Sequence, residues 1–207
     1  SSDLSDTAGN QVVLVLADDR SIASIGRWVL FEACRQLKAW HDAGLPKVPV
    51  AVNLSPLELR QRDVLADIQK ALATTGLAAQ YLEVEITESV LMQQSNPAQH
   101  NILRALQALG VGIAIDDFGT GYSSLAYLKR YPIDKLKIDR SFITDTPHSV
   151  DDVAIVTAII QMGRSLQLKV LAEGVETAEQ QALLTHLGCD LVQGFGLSRP
   201  LPAHQVP

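Results

Sequence analysis

The sequence predicts an α/β fold, a TIM-like βα-barrel of parallel strands, on three observations. Short aliphatic strands alternate with helical segments from about residue 24 onward, no low-complexity linker separates them, and six successive strands end in a polar or charged residue. Repeated strand–crossover units require a parallel sheet covered by helices. Six such units with no sign of a second sheet favour a closed barrel over an open doubly wound sheet. A full eight-stranded barrel takes ~250 residues. With 207 residues, this one is expected to be incomplete at its N-terminus.

The elements follow in order. Ser24 to Trp40 reads as a helix, with Ile25, Trp28, Val29, Leu37 and Trp40 near one face and Gly44 as a stop signal. Pro49 to Asn53 is a short strand, Leu59 to Thr75 a helix ending at Gly76, and Leu82 to Ile86 the second strand. Pro97 takes a first helical position after Asn96, and Ile102, Leu103, Leu106 and Leu109 form an apolar stripe closed by Gly110. Gly112 to Asp116 is the third strand, followed by the loop Phe118-Gly119-Thr120-Gly121. A short helix over Ser123 to Arg130 leads into the fourth strand, Lys135 to Asp139. Val153 to Leu166 is helical and Lys169 to Glu173 is the fifth strand. Thr177 and Gln180 spell a capping box for a helix ending at Gly188, and Asp190 to Gln193 is the last strand. The segment 1–23 reads as a flexible or remnant N-terminal piece, with an aliphatic run at Val12 to Leu16, and the barrel domain as 24–207.

Composition narrows the function classes. The chain is 47% hydrophobic and 19% charged, as an ordinary globular domain is. No apolar run approaches the ~20 residues of a membrane span, and no basic region precedes an apolar stretch as in a secretory signal. The two cysteines, Cys34 and Cys189, lack metal-ligand spacing and read as buried reduced thiols in a cytoplasmic protein. A net charge of −6 argues against a general surface for nucleic-acid polymers, which needs clustered Lys and Arg. A small anionic ligand stays open, because bound cations reverse the local sign of an acidic site.

In a βα-barrel the C-terminal strand ends face the active site. Here those ends carry Asn53, Glu85, Asp116 with Asp117, Lys137 with Asp139, Glu173 with Glu176, and Gln193. Carboxylates and an amide oxygen are hard donors suited to Mg²⁺, Mn²⁺ or Ca²⁺. Asp116-Asp117 is the most specific pair. Neighbouring strand residues point to opposite faces, so both carboxylates converge only where the strand yields to a loop, and nearby cations would offset their repulsion. A solvated turn is the alternative. Lys137, between Leu136 and Ile138, either holds a water or phosphoryl oxygen in the barrel mouth or forms a structural ion pair with Glu173.

These residues carry a family resemblance. Ile25-Gly26-Arg27-Trp28-Val29-Leu30, Val52-Asn53-Leu54-Ser55, Glu85-Ile86-Thr87-Glu88, Asp116-Asp117-Phe118-Gly119-Thr120-Gly121, Lys137-Ile138-Asp139, Ala172-Glu173-Gly174-Val175-Glu176, Gln193-Gly194-Phe195 and Ser198-Arg199-Pro200 stand in the order found in bacterial EAL domains. The chain resembles that family, the cyclic di-GMP phosphodiesterases, from about Ser24 to Pro200. The resemblance implies two divalent metal ions (Mg or Mn) on Asn53, Glu85, Asp116 and Asp117, with Lys137 and Glu173 positioning or activating the attacking water. It implies that Asp139 and Gln193 support the metal-water and ligand network and that Glu176 supports the site from outside the ligand set. It further implies that Glu88 anchors the Asp117–Tyr122 loop, with a possible homodimer through that loop and the helix after it. The reaction implied is hydrolysis of one phosphodiester of cyclic di-GMP to linear pGpG, by in-line attack of water with the ions stabilising the non-bridging and leaving oxygens. One departure stands out: the Glu-Ala-Leu run that names the family, whose Glu is a metal ligand, does not occur in the sequence, and Glu32-Ala33-Cys34 lies in the helix after Arg27-Trp28. A degenerate EAL domain that binds cyclic di-GMP or a protein without catalysis is therefore the alternative reading.

Overall fold

In a computed structural model of the chain, six parallel strands lie side by side in sequence order, β1 (Val50–Asn53), β2 (Leu82–Thr87), β3 (Gly112–Phe118), β4 (Lys135–Ile138), β5 (Lys169–Ala172) and β6 (Leu191–Val192). The structure describes residues 19–61, 63–92, 97–121, 128 and 130–206. Helices α1 (Asp19–Asp42), α2 (Pro56–Gln61), α3 (Val64–Thr75), α4 (Glu88–Met92), α5 (Pro97–Leu109), α6 (Val150–Ser165) and α7 (Ala178–Leu187) connect them. The order runs from β1 to β6 without closing on itself among the described residues, so the sheet is an incomplete barrel. Residues 1–18 of the N-terminal segment and most of the Ser123–Arg130 stretch lie outside the described residues.

The period of two along each strand gives the sheet two unlike faces. One face carries Val84, Ile86, Ile113, Ile115, Leu136, Ile138 and Val170, all fully buried. The helices cover it with Leu30, Cys34 and Leu37 of α1, Ile68 of α3, Leu103 and Leu106 of α5, Val156 and Ile160 of α6 and Leu184 of α7. Each such side chain contributes ~1.5–3 kcal/mol on leaving water. Burial pushes the Cys34 thiol up to about 11, so it is an inert apolar filler. The opposite face, inside the barrel, is polar: Asn53, Glu83, Glu85, Asp116, Lys135 and Lys137.

Two local readings change. The buried stripe of α1 is Leu30, Cys34 and Leu37, spaced i, i+4, i+7, whereas Trp28 is 66% exposed; the helix turns to β1 and α3 the face that also meets their aliphatic side chains. The Leu59–Thr75 helix is broken in two, because Asp63 caps a new start by accepting from the Ala66 N–H at 3.0 Å. A capping box at Ser55 and Glu58 starts α2, with reciprocal bonds of 3.0 and 3.2 Å. The Thr177–Gln180 capping box forms as expected.

Register is pinned at the bottom of the sheet by a repeated device. The Ile113 N–H at the start of β3 donates to Asp134 Oδ2 at 2.8 Å, and the Val170 N–H at the start of β5 donates to Asp190 Oδ2 at 2.9 Å. Each Asp precedes the next strand and satisfies a backbone donor of its neighbour.

Gly163 of α6 lies against β5, where an added Cβ would sit 2.3 Å from Val170 Cγ2. Helix propensity favours alanine over glycine by ~1 kcal/mol, but the stiff, fully buried Val170 cannot withdraw. Gly163→Ala is expected to destabilise the domain by ~1–3 kcal/mol, measured by urea denaturation.

Candidate active site

The polar face gathers at the C-terminal strand ends. Lys137 of β4 is 4% exposed, and its Nζ lies 2.8 Å from Glu85 Oε2, 2.8 Å from Asp116 Oδ1 and 2.8 Å from Glu173 Oε1. Three strands and the loop after β5 therefore meet on one ammonium. The structural ion pair between Lys137 and Glu173 exists, as one arm of a larger cluster. Burial alone would lower the lysine pKa, but the Asp116, Glu173 and Glu85 carboxylates outweigh it and hold it above the ordinary value, so the group is cationic at neutral pH.

A β-bulge brings both aspartates to this side. Ile115 pairs with Leu136 and Phe118 with Ile138, so β3 spends one more residue than β4 over the same rise. Asp117 absorbs it with a left-handed φ of 54°. Phe118 then returns to the aliphatic face, 3% exposed. The strand does not yield to a loop at Asp116, as its sequence suggests; it bulges, with the same result of adjacent carboxylates converging. Oxygens of Asp116, Asp117 and Glu173 lie within 4.8 Å of one another.

The electrostatics of the carboxylates are those of a site short of positive charge. Glu85 and Glu173 are raised above the usual carboxylate range, first by burial and then by neighbouring acids, against the pull of Lys137. Asp117 is raised by burial, Asp116 and Asp139. Asp116 Oδ1 is buried, and its one close polar neighbour is the Lys137 ammonium at 2.8 Å. Three carboxylates with oxygens at ligand spacing, in excess over the one ammonium, fit a divalent cation.

The other sequence-predicted residues fall around this centre. Asn53 ends β1 in register with Glu85 and is exposed. Asp139 caps the turn after β4, accepting from the Ser141 N–H at 3.0 Å; burial would raise its pKa, but the bonds from Ser141 lower it. Glu88, 6% exposed, accepts from the Gly119 N–H at 3.2 Å and so ties the loop after β3 to the start of α4. Tyr122 lies outside the described residues. Glu176 is exposed, and its N–H donates to Gln180 Oε1 at 2.8 Å. Gln193 is exposed beyond β6, held by backbone bonds to Ala172 and Val175. Gly194 lets it sit there, since a Cβ at that position would lie 2.1 Å from the Val175 carbonyl oxygen.

Sequence reading missed Glu83 and Lys135, which pair at 2.7 Å below Glu85 and Lys137. Their spacing, two residues before each, was the available signal.

Comparison with known proteins shows the family. The family model described as "EAL domain" matches residues 5–200. The chain belongs to the EAL-domain family. It is 52% identical over 185 residues to the bifunctional diguanylate cyclase/cyclic di-GMP phosphodiesterase MucR of Pseudomonas aeruginosa, covering 89% of this chain and 27% of MucR. It is 50% identical over 184 residues to the cyclic di-GMP phosphodiesterase NbdA of the same organism, covering 87% of this chain and 23% of NbdA. The chain thus spans about a quarter of the length of these relatives. Among solved structures, the MucR phosphodiesterase in complex with c-di-GMP superimposes with a TM-score of 0.86, at 52% identity, over 90% of this chain and 75% of that one. Klebsiella pneumoniae BlrP1, in a manganese/cyclic di-GMP complex, superimposes with a TM-score of 0.76 at 33% identity, over 90% of this chain and 46% of that one. EAL-domain relatives are therefore TIM-like barrels, and divalent cations accompany some of them.

Replacing Lys137 by Met in this EAL domain leaves one buried and two half-buried carboxylates facing one another. Loss of a buried charge partner costs ~3–5 kcal/mol. The raised pKa values of Glu85 and Glu173 rise further in the variant, so protonation relieves the repulsion as pH falls. The deficit is expected to be largest at pH 7 and smaller at about pH 4.5, read from urea melts of both proteins at the two values in chelator.

Proposed function

We propose that this EAL domain hydrolyses cyclic di-GMP to linear pGpG with two divalent cations, Mg²⁺ or Mn²⁺. The observation that carries the reading is the convergence of Asp116, Asp117 and Glu173 within ligand distance around the Lys137 ammonium. Asp116 and Asp117, adjacent across the bulge, are the donors best placed to hold cations, joined by Asn53 and Glu85. Glu173 has the geometry of a further ligand as well as a water-positioning group. Such cations supply a lowered water pKa and charge for the phosphoryl oxygens.

The chain's own residues do the rest. Lys137, held cationic, lends positive charge to the side on which an attacking water or a non-bridging phosphoryl oxygen would lie. Glu173, with its raised proton affinity, accepts the proton that the water releases. Asp139 and Gln193 would support the ligand and metal-water network and Glu176 the Glu173 loop, while Glu88 fixes the loop that carries Gly119. A homodimer would assemble through that same loop. Among the described residues no helix is long and apolar enough to cross a membrane; we place the domain in the cytoplasm, where its ligand is made and consumed.

Incubation with cyclic di-GMP and Mn²⁺ is expected to yield pGpG by chromatography, to stop on chelation, and to fall at least ~100-fold in Lys137→Ala. Binding of cyclic di-GMP by the folded wild-type chain without turnover would replace this reading by that of a non-catalytic receptor.

A further inference from the structure

We propose that Glu83 is a positioning residue whose task is to keep Lys135 away from Glu85, so that Glu85 stays available to Lys137 and to a cation. The inference rests on the metal-site reading above for its consequence, but its geometry stands alone. β2 and β4 flank β3 and are joined across it by two parallel rungs, Glu83–Lys135 at 2.7 Å and Glu85–Lys137 at 2.8 Å. The side chains of Glu83 and Lys135 are 11% and 12% exposed, so the lower rung is withdrawn from solvent almost as fully as the upper.

The rungs pass over two small residues of the inner face. Gly112 lies under Glu83, where a Cβ would make only ordinary contact at 3.6 Å, and Ala114 is fully buried under the upper rung. Both rungs are also slanted. Ala114 is in register with Glu85 on one side and with Lys135 on the other, so Glu85 and Lys135 share a row. Each Glu instead pairs with the lysine two residues further along. Across two strand spacings of ~4.8 Å, the level span from Lys135 to Glu85 is shorter than the slanted span that Glu85 makes to Lys137. A lysine stem is flexible enough to make either. What prevents the level pairing is that Lys135 is already engaged by Glu83. Remove that charge, and a buried Lys135 without a partner turns to Glu85, placing a second ammonium on a carboxylate the cation needs.

The test is a crystal structure of Glu83→Gln together with Mn²⁺ titrations of a substitution cycle. In the Glu83→Gln structure Lys135 Nζ is expected within hydrogen-bond distance of Glu85; Lys135 remaining below, beside the introduced amide, overturns the proposal whether or not the domain binds metal. Mn²⁺ affinity is expected to fall ~10–100-fold in Glu83→Gln, the range for groups that orient ligands, and to recover to within about twofold of wild type in Glu83→Gln/Lys135→Gln. Recovery is the outcome a purely structural pair does not give. The double variant leaves neither charge buried alone and so remains testable if Glu83→Gln fails to fold; a loss of affinity of about tenfold there, in a folded sample, overturns the proposal. Wild-type protein that binds no Mn²⁺ refutes the metal site, and the crystallographic result then decides the lysine sorting by itself.

Discussion

A single buried ammonium, Lys137 amid Glu85, Asp116 and Glu173, is the interaction on which the rest of this site depends. Three carboxylates from three parts of the chain would repel one another in a poorly solvated groove, and burial has already raised two of them. A lysine is suited to the place because its point charge sits on a flexible stem and offers three donors. The cluster still holds more negative than positive charge, and that surplus is what a divalent cation answers.

The strand geometry serves this cluster. Parallel strands of a barrel deliver every other side chain to the inner face, which suffices for Glu85, Lys137 and Asn53. It does not suffice for Asp116 and Asp117 together. The one-residue bulge in β3, with Asp117 left-handed, supplies the second aspartate and restores Phe118 to the aliphatic layer. Strain accepted at one residue thus arms the site without costing the core. Small residues matter equally on the inner face: Gly112 and Ala114 leave the room through which long charged side chains cross β3.

Much of the fold was legible because the βα repeat writes itself in sequence as aliphatic strand, polar end, amphipathic helix. Strands β1 to β5 fall where their aliphatic runs lie, and the Thr177–Gln180 cap forms as written. The misread places are those where the deciding partner is remote or easily overlooked. Trp28 looks like a core residue by its neighbours, yet α1 packs through Leu30, Cys34 and Leu37 because of where β1 and α3 lie. The break between α2 and α3 hangs on a single capping bond from Asp63.

For the site, sequence by itself determined which residue types end each strand, and their order carried the family. Those are properties of local spacing, fixed by the two-residue period of a strand. Only the tertiary structure decided which groups meet: that Lys137 reaches three carboxylates, and that Glu83 and Lys135 form a second rung below the first. Such meetings depend on register between strands whose meeting residues lie far apart in the chain, 52 positions for Glu85 and Lys137. A linear pattern holds no record of that until the sheet is assembled.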